Sequence, residues 1–189
     1  SLFIAMILFS VLSFVIMGVA SVFVPLFYGP GFDVCTYLYY ILLPSCLFLA
    51  FAHVIRTQYL LPSRMDRPYV VSAVLGAVIN FTVNYALIPF YGAVGAALAT
   101  TLSEMVVCFV QVWAVKDKLP IKSYFAMVLP GILLGAFMCA ALFFVPQIGS
   151  PFVTLAVKVC AGGVIFIGGL GILYLLNKNF KKTMDSVLN

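Results

Sequence analysis

Charge is what this chain has least of. Among 189 residues there are ten Lys and Arg, five Asp and Glu, and one His, so charged residues make up 8%. A soluble domain carries about 25% charged residues. Hydrophobic residues reach 65% and the mean hydropathy is +1.23. These values exclude an ordinary soluble domain and identify an all-α polytopic membrane protein. The net charge of +5 does not indicate nucleic acid, because the basic residues are scattered over short loops and form no patch. The five cysteines (Cys35, Cys46, Cys108, Cys139, Cys160) are dispersed, mostly within apolar runs, and no CxxC occurs. Metal-ligand spacing and a disulfide framework are both missing, so the thiols read as small apolar residues in helices. The sequence opens at Ser1 inside an apolar run, with no initiator Met and no basic stretch before it. A signal peptide is not expected there, and the sequence reads as a fragment of a longer protein.

Six apolar segments remain, each long enough to cross a bilayer, which takes roughly 20 residues. Their expected bounds are Leu2 to Phe27, Asp33 to Leu61, Pro68 to Pro89, Gly92 to Val115, Ser123 to Phe144 and Phe152 to Leu176. Tyr28-Gly29-Pro30-Gly31 breaks the chain after the first, and Asp33 is placed to cap the second. Arg64 and Arg67 lie in the second loop, Lys116, Lys118 and Lys122 in the fourth, and Lys178, Lys181 and Lys182 in the tail. The first, third and fifth loops hold no Lys or Arg. By the positive-inside rule, Ser1 and Asn189 are both expected on the cytoplasmic side.

The stretch from Tyr69 to Glu104 is the most informative. It reads as a helical hairpin joined at Pro89-Phe90-Tyr91-Gly92. Ser72, Gly76, Asn80 and Asn84 recur every fourth residue in its first arm, and Gly92, Ala96, Thr100 and Glu104 do so in its second. Each set shares one helix face. Small residues let helices approach closely, and amides in a membrane seek partners away from lipid. Asn80 and Asn84 read either as interhelical hydrogen bonds that fix packing or as substrate-binding amides. Glu104 is an ionisable group in mid-span. It is either a neutral acid bonded to a neighbouring helix or a site of H+ or Na+ coupling. In the fifth segment, Gly131 and Gly135 have the GxxxG spacing of a close helix contact.

Two cations lie within apolar segments. Lys158 is a third of the way into the sixth and reads as snorkelling to the nearby interface. Arg56 lies about two turns from the second loop, with His53 one turn away on the same face. Arg56 either snorkels or faces an internal cavity, where a guanidinium could grip a phosphate with two parallel bonds. His53 by itself reads as a helix–helix contact.

Asn80, Asn84, Leu87-Ile88-Pro89, Tyr91-Gly92 and Gly95-Ala96-Ala97-Leu98-Ala99-Thr100 together resemble the hairpin signature of polysaccharide flippases in the multidrug/oligosaccharidyl-lipid/polysaccharide exporter superfamily. Leu26-Phe27-Tyr28-Gly29 is similar to that family's stop after a helix. Leu60-Leu61 before a basic turn also resembles the family, although Pro62 and Ser63 stand where a small residue and a glycine are usual. The resemblance covers residues 1–115. Residues 116–176 match only in hydropathy and position, as two appended transmembrane helices, and 177–189 read as a cytoplasmic tail.

The resemblance implies a two-lobe, multidrug-exporter-like flippase fold, of which the six helices form most of the second lobe plus the appended pair. It implies alternating access across the bacterial plasma membrane, with a lipid-linked oligosaccharide of the undecaprenyl-diphosphate type as substrate. Membrane lipids and glycan-assembly enzymes are the expected partners, and no cofactor is expected beyond a coupling H+ or Na+. An H+- or Na+-coupled multidrug exporter is the alternative. A glycan-processing enzyme is less favoured, since the outer loops offer only Asp33 for acid–base or nucleophilic work. A scaffold without transport leaves Glu104 unexplained.

Overall fold

The structure is a computed structural model that describes residues 2–176 and Lys181. The expected tail lies outside the described residues apart from Lys181, as does Ser1. Every regular element among the described residues is helical: α1 (Leu2–Tyr28), α2 (Val34–Ile55), a π-helical turn (Arg56–Leu60) continuing α2, α3 (Asp66–Tyr91), α4 (Ala93–Val115), α5 (Ile121–Phe143) and α6 (Pro151–Leu176). Among the described residues six helices are long and apolar enough to cross a membrane, and α2 with its π turn counts as one of them. The protein is thus an all-helical, polytopic membrane protein. An apolar solvent forces this outcome, because only a helix satisfies its backbone hydrogen bonds within a single segment.

The helices form two units. The first contains α1, α5 and α6, and its core is Val19, Met138, Leu142 and Phe166. Glycines allow the close contacts. A Cβ on Gly135 would meet the Phe14 ring at 2.5 Å, and one on Gly18 would meet Leu142 at 2.8 Å. The GxxxG face of α5 therefore packs against α1. The inward face of α6 carries Thr154, Lys158, Gly162 and Phe166, one residue per turn. Lys158 is only 4% exposed. Its methylene stem therefore packs within this stripe of α6.

The second unit comprises α2 from Tyr37, the π turn, α3 and α4. The joint between α3 and α4 is tighter than its sequence suggests. Helix α3 continues through Pro89 to Tyr91, and Gly92 alone separates it from Ala93. Pro89 lacks an N–H but sits in the final turn, where few further backbone bonds depend on it. Gly92 has φ 53° and ψ −128°, a conformation costly for a residue with a Cβ. Its N–H donates to the Ile88 carbonyl at 2.8 Å and closes α3. Within one turn of this joint the backbones nearly touch, since a Cβ on Gly95 would lie 2.7 Å from the Leu87 carbonyl oxygen.

Candidate functional site

Helices α3 and α4 are joined by two polar contacts of the same design. Ser72 on α3 donates its hydroxyl proton to the Tyr69 carbonyl at 2.7 Å, one turn back. Its oxygen then accepts from Gln111 Nε2 on α4 at 3.0 Å. Ser103 on α4 likewise donates to the Thr100 carbonyl at 2.8 Å and accepts from Asn80 Nδ2 on α3 at 3.4 Å. Asn84 Nδ2 extends the second contact by donating to Asn80 Oδ1 at 2.9 Å. Between them Gly76 faces Val107 across the interface. Asn84 Oδ1 and Gln111 Oε1 are buried and accept no hydrogen bond. In each contact the serine proton is held by its own helix, so only an N–H donor can approach from the other side. This fixes which end of each amide points across.

The facing stripe on α4 is therefore Gly95, Ala99, Ser103, Val107 and Gln111. The expected stripe, Gly92, Ala96, Thr100 and Glu104, lies one residue to the side of it. The stripe is shifted because α4 meets α2 as well as α3. Thr101 Oγ1 donates to the Ile41 carbonyl at 3.1 Å, and the flank that carries Glu104 turns towards the end of α2. The expected stripe on α3 is the one observed: Ser72 and Gly76 are buried, and Asn80 reaches α4.

At the Gln111 end of the hairpin, a recess of about 170 Å³ opens between α2, α3 and α4. His53 and Arg56 enter it from α2 and the π turn, Tyr69 and Ser72 from α3, and Glu104 and Gln111 from α4. Arg56 Nη2 donates to His53 Nδ1 at 2.7 Å. The guanidinium carbon lies 5.5 Å from the centre of the Tyr69 ring, within the range of a cation–π contact. Arg56 is also near enough for its charge to act on the Glu104 carboxyl. The π turn shapes this wall of the recess. Leu61 N–H bonds the Arg56 carbonyl at 3.0 Å, five residues back, which widens the turn at Arg56. Such single-turn π segments recur at functional sites.

The recess is small. A water occupies about 30 Å³ of liquid, so the space suits a few waters or one compact polar group, and drug-sized ligands need roughly 300 Å³ or more. It brings together Arg56 and Glu104, two of the residues singled out in the sequence. Asn80 and Asn84 lie elsewhere, eight and twelve residues beyond Ser72, or about 12 to 18 Å along α3 at 1.5 Å per residue. Asn84 instead lines a separate apolar surface groove with Phe81, Tyr85 and Phe90. Gln111, Ser103 and Tyr69 were missed. Gln111 left a signal, since it is an amide within an apolar run, seven residues from Glu104 on the same side of the helix. A groove of about 790 Å³ between α5 and α6 is lined by apolar residues such as Leu129, Phe137 and Ile172 and offers nothing to a charged group.

Compared with protein-family models, with curated proteins and with solved structures, the chain matches none.

Proposed function

We propose that this chain is part of a carrier, not an enzyme, that moves a lipid-linked oligosaccharide of the undecaprenyl-diphosphate type across the bacterial plasma membrane for polysaccharide synthesis. The carrier works by alternating access between two lobes, of which this chain supplies most of one. Both of its ends face the cytoplasm, and its partners are membrane lipids and the enzymes that assemble the glycan. The observation that carries the reading is a guanidinium in a recess between three apolar helices. The hairpin residues from Asn80 to Thr100 that resemble polysaccharide flippases support it.

A diphosphate head group crossing a low-dielectric region needs fixed positive charge beside it. Without a partner, burial of such an anion costs several kcal/mol even after relaxation. Arg56 supplies that charge from the end of α2 next to the basic loop, where this reading places loading from the cytoplasm. Lys in its place keeps the charge but not the fork that matches two phosphate oxygens. In a flippase-null strain, Arg56→Ala is expected to abolish surface glycan and Arg56→Lys to restore only part of it, at unchanged protein level on a membrane blot. Full glycan display by Arg56→Ala would refute the reading.

An H+- or Na+-coupled multidrug exporter is the second reading. Glu104 suits either reading, as a carboxyl in mid-span that could couple transport to H+ or Na+. Transport of such a drug that survives Arg56→Ala and fails in Glu104→Gln would select it.

A further inference from the structure

The Arg56–His53 contact fixes a protonation state. A guanidinium has five N–H donors and no acceptor, so His53 Nδ1 must accept at 2.7 Å. The imidazole is therefore neutral in this structure, with its proton on Nε2. A second proton on Nδ1 would remove the acceptor and set two cations in contact. Arg56 and a charged His53 cannot keep this arrangement unless an anion comes between them.

We propose that His53 is the second cationic ligand of the anion held by Arg56, neutral when the recess is empty and protonated when it is filled. For the identity of the anion this rests on the flippase reading. The exchange is balanced. An anion oxygen replaces Nδ1 as acceptor for Arg56 Nη2, one solvent proton binds the vacated Nδ1, and the new N–H donates to a second anion oxygen. A diester diphosphate carries two negative charges, and one guanidinium neutralises one of them. The titratable and charged groups lining the recess are His53 and Arg56 from α2 and its π turn, Tyr69 from α3 and Glu104 from α4. Of these, Arg56 is already charged, while Tyr69 and Glu104 are neutral or negative. Only His53 can add positive charge, and imidazole changes charge between about pH 5 and 8. His53 is exposed at the surface of this unit. The backbone there is anchored independently, with Thr57 Oγ1 donating to the His53 carbonyl at 2.8 Å.

The test is anion binding to the full chain in detergent micelles. The probes are a short-chain prenyl diphosphate sugar and inorganic sulfate, neither of which changes charge in this pH range. Titration calorimetry in two buffers of different protonation enthalpy is expected to show uptake of about one proton per anion near pH 7.5, with affinity rising by up to about tenfold for each pH unit of acidification. His53→Gln keeps an acceptor for Arg56 but cannot become charged, and should bind with no proton uptake and a flat pH profile. His53→Lys should bind tightly and also without a slope. Glu104→Gln should keep the slope, which assigns the proton to His53. Binding of the prenyl probe without proton uptake, or a slope that persists in His53→Gln, overturns the proposal and leaves the flippase reading standing. Sulfate binding with the slope, but no binding of the prenyl probe, supports His53 and overturns the flippase reading. Binding of neither probe overturns both.

Discussion

Gly95 permits a direct test of how closely the two arms of the hairpin must pack. A Cβ there would lie 2.7 Å from the Leu87 carbonyl oxygen and 2.8 Å from its carbon. Ordinary contacts between such atoms begin at about 3.4 Å, so the helices would have to part by roughly 0.7 Å. The obstacle is backbone and cannot rotate away. Three residues upstream the chain is pinned by the one-residue joint at Gly92. Overpacking of this kind costs about 1 to 3 kcal/mol. Ala also raises helix propensity by up to about 1 kcal/mol relative to Gly, which would mask part of that cost. Gly163 supplies the reference, because it is helical and has nothing within 4 Å of its Cβ position. The difference between Gly95→Ala and Gly163→Ala isolates the clash. It should be about 1 to 3 kcal/mol, or roughly a 5- to 150-fold change in the folded-to-unfolded ratio. Unfolding in mixed micelles with rising dodecyl sulfate, followed by circular dichroism, measures both. Gly95→Leu should lower folded yield further, whereas Leu98→Phe, at a site 38% exposed, should not. Equal stability of the two alanine variants would refute the close approach.

Other tests address separate links. Arg64 has φ 55°, a left-handed conformation that costs a residue with a Cβ about 1 to 2 kcal/mol, so Arg64→Gly should stabilise the protein by about 1 kcal/mol in the same assay. A loss of stability would mean that the side chain contributes more than the strain. If Glu104 couples transport to an ion, Glu104→Gln should fold normally and transport without dependence on pH or Na+, whereas failure to fold would make its role structural. Single cysteines at Ser63 and Gly149 in a cysteine-free background should label from opposite sides of the membrane, and labelling of both by an impermeant reagent outside would refute the proposed sidedness.

The six spans were legible because spanning is a local property, readable from an unbroken apolar run and the turn residues that end it. The stripe on α3 was legible for a similar reason, since a four-residue period needs no knowledge of a partner. The stripe on α4 was displaced by one residue because α4 serves two neighbours, and a period alone does not say how they share its circumference. For Lys158 the position along α6 was readable, while the direction it faces depends on Thr154, Gly162 and Phe166 packing inwards with it. The π turn at Arg56 left no pattern in the sequence, and neither did the grouping of α1 with α5 and α6, which depends on contacts more than a hundred residues apart. Arg56 and Glu104 could each be singled out as costly charges in apolar helices, but their meeting in one recess is a tertiary fact.

The paired serine contacts have a mechanical consequence. Sliding α3 past α4 by one turn, about 5.4 Å, would break both amide–serine bonds together and take Leu87 out of its close contact with Gly95. Rotating either helix would swing Ser72 and Ser103 away from their amides. The hairpin is thus a stiff beam with its arms locked in register, and Tyr69, Ser72, Glu104 and Gln111 travel as a set. Arg56 and His53 belong to α2 and its widened turn, which the serine clamps do not hold. A small tilt of α2 against the beam would change the gap between the guanidinium and the carboxylate while every bond within the hairpin stays intact. The wall of the recess that carries its positive charge is therefore the one the serine clamps do not hold, tied to the hairpin instead by Thr101 and the Tyr69 ring.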